Sequence, residues 1–197
     1  MDSSPIFKYH REMLARFGPD SNLALGWRDK RSQLVRFDAL MEIGDLNGYS
    51  ILEAGCGTGD LFNFLMERYP DLTSYTGVDF IPEMIEEARE RIISSKAGFW
   101  PVSFMSTILP EADYVLASGS LNYASSEPDY IYKAISHLFQ LSRRGLGFNL
   151  LRLVTNESML AAYDPEDIVA FCRTLSDYVV LKDDYDREDF TVFAYRH

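Results

Sequence analysis

Apolar residues recur along this chain at helical and at strand spacing in alternating blocks. Residues 6–17 set Ile6, Tyr9, His10, Met13, Leu14 and Phe17 at helical intervals, and Gly18-Pro19-Asp20-Ser21-Asn22 breaks the pattern. A second amphipathic segment begins near Asp29, an N-capping type, with Leu34, Phe37, Leu40 and Met41 on one face. Gly44 to Gly48 is the next punctuation, and the apolar pair Ile51-Leu52 opens a first strand. A helix follows to about Arg68, where Tyr69-Pro70-Asp71 ends it. Tyr75 to Val78 reads as a second strand, and a helix starting at Pro82 runs to about Ser94, with Gly98 as its stop. Phe99 to Met105 forms a third strand, for which Pro101 argues a sheet edge or an irregular start. A buried strand starts at Ala112, and a helix spans Tyr130 to Leu141 and ends near Arg143-Arg144-Gly145. Leu146 to Val154 alternates as a fifth strand. Asp164-Pro165-Glu166-Asp167 starts a helix over Ile168 to Leu175, and Tyr178 to Lys182 and Phe190 to Tyr195 are the last two strands. Strands alternating with helices predict an α/β domain.

The stretch Ile51-Leu52-Glu53-Ala54-Gly55-Cys56-Gly57-Thr58-Gly59-Asp60 organises the rest. A buried strand there enters a glycine turn ahead of a helix whose positive end faces whatever the turn holds. A dinucleotide fingerprint needs its third small residue five places after the first. Asp60 occupies that place, and its carboxylate opposes a pyrophosphate. With Glu53, it makes the turn hospitable to a cation instead. Asp79 closes the second strand about twenty residues further on, the spacing of an acid that holds ribose hydroxyls.

The pattern E-x-G-x-G-x-G, followed by Gly77-Val78-Asp79-Phe80-Ile81-Pro82, resembles the first two motifs of the class I S-adenosylmethionine-dependent methyltransferases. The resemblance covers about residues 48–197. It implies a Rossmann-like, doubly wound, seven-stranded sheet, mostly parallel with an antiparallel last strand and helices on both faces, closed by antiparallel sixth and seventh strands. It implies S-adenosylmethionine as cofactor and S-adenosylhomocysteine as product. Glu53 then orients the turn and the cofactor ammonium, and Gly55 and Gly57 let the amino-acid portion lie against the backbone, with Cys56 between them in the cofactor-binding set. Asp60 lies beside them, Asp79 takes the ribose, Phe80 takes the adenine face, and Met84 completes the cofactor-binding set on this side. Ala112 to Tyr123 resembles the family's fourth motif, which puts Ser118 and Gly119 near the methionine portion and Asn122 and Tyr123 near the acceptor. After the third strand family members often carry an acid for the adenine amino group. Here Ser103-Phe104-Met105-Ser106-Thr107 offers only a backbone carbonyl or a hydroxyl. Residues 1–47 are expected as a helical extension or lid on a single domain whose core is 48–197, with Tyr9, His10 and Trp27 as acceptor candidates. Tyr9, His10 and Tyr123 are the candidate bases if the acceptor must lose a proton. No catalytic residue is assigned, because sulfonium activation resides in the cofactor and the protein supplies alignment.

Composition narrows the acceptor. With 19 basic against 30 acidic residues, net charge is −11 and no basic stripe is present, which argues against nucleic acid. Cys56 and Cys172 are the only cysteines, which suits a reducing cytoplasm, and Cys56 reads as a small residue tolerated in a tight turn. No signal peptide and no membrane span are expected. His10, His137 and His197 are not spaced as metal ligands, and the acidic run 183–189 reads as a solvated turn, so no metal is expected. The favoured acceptor is a small molecule, with a protein side chain behind it. A non-catalytic adenosyl-binding protein is the competing class, and the turn spacing disfavours a nicotinamide oxidoreductase.

Overall fold

The computed structural model describes residues 4–18, 26–105, 109–154 and 159–196. The first amphipathic pattern is α1 (Ser4–Phe17), with Ile6 and His10 on its buried face. Asp29 caps α2 (Lys30–Leu40) by accepting the Ser32 N–H at 2.7 Å. Then follow β1 (Ser50–Ala54), α3 (Asp60–Arg68), β2 (Ser74–Asp79), α4 (Pro82–Arg91), β3 (Ala97–Pro101) and β4 (Ala112–Ala117). The chain finishes with α5 (Tyr130–Leu141), β5 (Ser142–Leu151), α6 (Pro165–Cys172), β6 (Tyr178–Lys182) and β7 (Asp189–Tyr195).

The seven strands form one sheet in the order β3-β2-β1-β4-β5-β7-β6. β7 pairs antiparallel with both β5 and β6, so it alone is reversed, and β6 runs with the parallel strands. Strand alternation sends Ile51 to a core formed with Phe37, Leu40, Leu61, Leu65 and Ile85, from α2, α3 and α4. Leu52 and Ala54 face the opposite way, into a core with Ile135 and Leu138 of α5 and Ile168 of α6. Helices on both faces make the fold doubly wound. The order reverses between β1 and β4, and a crevice opens beyond the carboxyl ends of strands at such a point.

Several boundaries differ from the sequence expectation, among them the ends of α6, at Cys172 rather than Leu175, and of β5, at Leu151 rather than Val154. α4 stops at Arg91 rather than near Ser94, because Ile92 turns extended (φ −115°, ψ 97°) and tucks its side chain under the glycine turn. β3 ends at Pro101 instead of Met105: proline lacks the N–H that would extend the ladder, and Gly98, expected to stop a helix, lies inside the strand. The edge position expected from Pro101 is observed. β5 begins at Ser142, whose hydroxyl donates to the Phe139 carbonyl at 2.8 Å, so Arg143-Arg144-Gly145 are strand residues rather than a helix end. The expected break at Pro19 to Asn22 lies outside the described residues.

Candidate functional site

The three glycines of the turn all adopt positive φ, at 78°, 52° and 83° for Gly55, Gly57 and Gly59. A Cβ on Gly55 would also stand 2.2 Å from the Ser120 Cβ, so strand β1 and the loop after β4 approach closely only over a glycine. Ser120 uses that proximity to donate its hydroxyl to the Ala54 carbonyl at 2.5 Å. The Gly55 and Cys56 N–H groups both donate to the Val78 carbonyl, at 2.7 and 3.0 Å. The turn is thus sewn to β2 by its own backbone, and these donors do not face the crevice.

Asp79 completes that stitching. One oxygen accepts the Gly57 N–H at 3.0 Å and the other the Ile81 N–H at 2.9 Å. Each keeps further acceptor capacity toward the crevice. Burial raises the Asp79 carboxyl to about 6, against the opposing pull of the Ile81, Gly57 and Phe80 N–H groups. Glu53 is buried below it and accepts the Tyr75 hydroxyl. Burial pushes Glu53 up to about 8, although the Tyr75 hydrogen bond works the other way. Two carboxyls lifted in this way stand ready for a positive charge, which would favour their ionised forms. Burial likewise pushes the Cys56 thiol well up, so it is no thiolate nucleophile at neutral pH.

A cavity of about 450 Å³ lies over these groups, a volume typical of small-ligand pockets. It is lined by Glu53, Gly55, Cys56, Gly57, Asp60, Asp79, Phe80, Met84, Ser118 and Gly119, the cofactor set expected from sequence. Of the acceptor candidates, His10, Trp27, Asn122 and Tyr123 line it. Tyr9 lies behind the wall, its ring edge-on to His10 at 5.2 Å. Asp60 is engaged at both oxygens, by Gln33 at 3.0 Å and Arg91 at 3.1 Å. Asn122 both lines the cavity and accepts the Leu151 N–H at 2.9 Å, holding the end of β5. Beneath Ser118 runs a buried chain: its hydroxyl donates to Asn149 at 3.0 Å, and Asn149 donates to Thr191 at 2.7 Å. Of the stretch considered for the adenine amino group, Ser103, Phe104 and Met105 line the cavity, and Ser106 and Thr107 lie outside the described residues.

The far wall belongs to His10 of α1, to Gly26 and Trp27, and to the start of α5. α1 is held by Arg11 to Glu83 at 2.6 Å and by Phe7 packing near Phe80, ring centroids 6.5 Å apart. His10 Nε2 meets the Tyr123 hydroxyl at 2.5 Å. Trp27 lies against Gly119, where a Cβ would come within 2.8 Å of its ring, and the Arg36 guanidinium lies over that ring at 4.9 Å. Arg36 keeps 11% of its side chain exposed and is paired with the buried Asp189 at 2.7 Å. Sequence reasoning missed Gln33, Arg36, Tyr130 and Lys133, all of which line the cavity. The available signal was Gln33, a polar residue buried beside the apolar stripe of α2.

Among the described residues no cluster of three His, Cys, Asp or Glu could hold a metal ion, and no helix is long and apolar enough to cross a membrane. The acidic run at 183–189 is partly neutralised, with Arg152 on Asp183 at 3.3 Å and Lys182 on Asp184 at 2.9 Å.

Comparison with known proteins gives the family. The methyltransferase domain family matches residues 51–145. Rv1506c of Mycobacterium tuberculosis, named as a methyltransferase, is 34% identical over 157 residues, covering 74% of this chain and 92% of that protein. The trans-aconitate 2-methyltransferase of Mycobacterium marinum is 26% identical over 122 residues, which is 60% of this chain but only 43% of that protein. Among solved structures, the magnesium protoporphyrin IX methyltransferase of Synechocystis PCC 6803 with bound SAM superposes with a TM-score of 0.72. It covers 100% of this chain and 98% of its own, and at 17% identity it speaks to the fold. Taken with the glycine turn and the acid at the tip of β2, these relationships place the chain in the class I S-adenosylmethionine-dependent methyltransferases.

Proposed function

We propose that this chain transfers a methyl group from S-adenosylmethionine to a small organic acceptor held beneath α1. The observation that carries the reading is the continuity of one cavity, from the carboxyls and glycine turn at the β1 and β2 tips to the wall of His10, Trp27 and Tyr123. The residues present suit the cofactor. Asp79 has acceptor capacity for ribose hydroxyls and Glu53 suits a cationic ligand, whereas Asp60 is already paired with Arg91 and the space over Gly55 is taken by Ser120. Phe80 and Met84 supply apolar contact for adenine, and Ser118 and Gly119 border the methionine portion. When bound, the cofactor supplies an electrophilic methyl carbon. The chain's own contribution is to align an acceptor against it and exclude water, and alignment of this kind is worth roughly 7–11 kcal/mol.

Of the extension expected over residues 1–47, α1 acts in this reading as the lid, since the contacts of Arg11, Phe7 and His10 reach across the cavity mouth, while α2 packs into the core through Phe37 and Leu40. A net charge of −11 argues against a nucleic-acid acceptor. The two cysteines, both unpaired and buried, suit a reducing cytoplasm. Titration of the full chain with S-adenosylhomocysteine by calorimetry, followed by labelled methyl transfer to a metabolite panel, tests the proposal. Tight binding with no transfer to any small acceptor would favour an adenosyl-sensing protein. Absence of binding would remove the cofactor assignment.

A further inference from the structure

We propose that His10 and Tyr123 form a proton-accepting pair at the acceptor end of the cavity, and that the acceptor is an uncharged molecule methylated on a hydroxyl or phenolic oxygen. This inference rests on the proposed function and adds the chemical class of the acceptor. The pair joins α1 to the loop after β4 across 113 residues, with His10 Nε2 2.5 Å from the Tyr123 hydroxyl. Both side chains line the cavity, and His10 is 95% buried, its relative exposure being 5%. The imidazole is steadied edge-on by Tyr9 at 5.2 Å and by the Tyr123 ring at 5.7 Å. Gly26 flanks the pair without a side chain: a Cβ there would lie 3.5 Å from both the Tyr123 hydroxyl and His10 Cε1.

A hydroxyl bonded to an imidazole does what a packing aromatic cannot: it takes a proton at one end and stores it at the other. Burial pushes the Tyr123 phenol well above its ordinary value, so it remains protonated at neutral pH and serves as a relay. The acceptor hydroxyl donates to Tyr123, whose own proton passes to His10 Nε2. The acceptor O–H bond breaks, its electron pair forms the bond to the donor methyl carbon, and the electrons of the broken C–S bond stay on sulfur. The proton leaves His10 for water.

The cations of the cavity wall point to the same class. Among the described lining residues these are Arg36 and Lys133. Arg36 is committed to Asp189 at 2.7 Å, and Lys133 to Glu127 at 3.2 Å and Asp129 at 3.1 Å. A carboxylate acceptor would meet cations already neutralised, and it has no proton to give up at neutral pH. A hydroxyl compound uses what the wall offers.

Two measurements on the full chain test the proposal. The first is long-range ¹H–¹⁵N NMR of the imidazoles, with His10 identified by the signal lost in His10→Gln. The expected state is a neutral ring with its proton on Nδ1 and Nε2 accepting from Tyr123, and Tyr123→Phe should shift the Nε2 resonance. An unmoved resonance overturns the pair. The second is methyl transfer from labelled S-adenosylmethionine to catechol and phenol, against benzoate and fumarate. Transfer to the phenols is expected. His10→Gln should lower kcat by about 10²-fold or more, with calorimetric binding of S-adenosylhomocysteine unchanged and the acidic limb of the pH–rate profile displaced. Tyr9 from α1 and Asp79 from β2 are the other titratable groups acting on Tyr123, so Tyr9→Phe is the control expected to leave that limb in place. Transfer confined to the carboxylates, or wild-type rates in His10→Gln, refutes the acceptor class. If no probe is methylated, the imidazole resonance decides. Failure of the wild type to bind S-adenosylhomocysteine sinks the cofactor reading instead, and the resonance still reports on the pair.

Discussion

The cofactor end and the acceptor end of this cavity are built by opposite means. At the first, neighbouring strands supply nearly everything: Gly57 to Asp79 and Tyr75 to Glu53 are each 22 residues apart, and backbone N–H groups are the main donors. At the second, side chains from distant segments converge, with His10 on Tyr123 at a separation of 113 residues and Arg36 on Asp189 at 153. A site made of backbone and short motif tolerates change around it. A wall made of long-range side-chain pairs can be rebuilt without touching the turn. The expectation is that the two ends respond independently, and variants at each can break or sharpen that contrast.

The largest effect is expected at the acceptor end. Arg36→Ala leaves Asp189 buried without its partner and removes the cation from the Trp27 face. Removing one member of a buried ion pair costs about 3–5 kcal/mol, which denaturant unfolding would register as an earlier midpoint. S-Adenosylhomocysteine affinity of the folded fraction should stay the same. A parallel fall in affinity would mean that the ends are coupled. At the cofactor end, Asp79→Ala strips the acceptor from the Gly57 and Ile81 N–H groups and from the ribose. A lost charge-assisted hydrogen bond is worth about 1.5–3 kcal/mol, so affinity should fall roughly 10- to 150-fold. Calorimetry showing wild-type binding would take Asp79 out of the site.

Protonation separates the two ends as well. Burial raises Asp79 to about 6 and Glu53 to about 8, so in the ligand-free chain the fold favours their neutral forms. The stability they contribute is whole below the ordinary carboxylate range and is lost as pH rises, first through about 6 for Asp79 and then through about 8 for Glu53. S-Adenosylmethionine, whose sulfonium does not titrate, reverses the preference by stabilising the carboxylates. Its binding should therefore expel protons and tighten as pH climbs across that window, with Glu53→Gln flattening the upper part. Calorimetry in two buffers of different ionisation enthalpy measures the release. Affinity that weakens with rising pH would take Glu53 out of the cation's surroundings.

The same contrast explains what the sequence disclosed. The turn, the acid at the β2 tip and the strand ending just before Ser118 were legible because each is a local motif whose geometry follows from glycine, strand and helix start. The α5 limits and the Asp29 cap were legible for the same reason. The acceptor wall was only partly so. Helical spacing put Tyr9 and His10 on one face of α1, but the angle at which α1 crosses the cavity turns His10 inward and leaves Tyr9 behind it. Arg36 could not be read at all, since its partner Asp189 arrives only when β7 pairs with β5. The start of β5 was misplaced because the chain passes directly from α5 into the strand at Leu141 and Ser142, with no glycine or proline to mark the join.

The smallest effect probes the cofactor end from below. Tyr75 is buried beneath β1, and its hydroxyl donates to Glu53, holding that carboxyl lower than burial alone would set it. Tyr75→Phe keeps the ring and its packing on Phe62 and Phe99, at 5.1 and 5.7 Å, and deletes only the donor. A typical intramolecular hydrogen bond contributes about 0.5–1.5 kcal/mol, so unfolding should move by no more than that. The informative change is in titration. Without its donor Glu53 rises further, so the pH at which S-adenosylmethionine binding tightens should move upward while the affinity reached at high pH is preserved. His10, on the opposite wall, should keep its imidazole resonance. A displaced His10 signal would show the two ends talking through β1, and the independence drawn from their construction would fall.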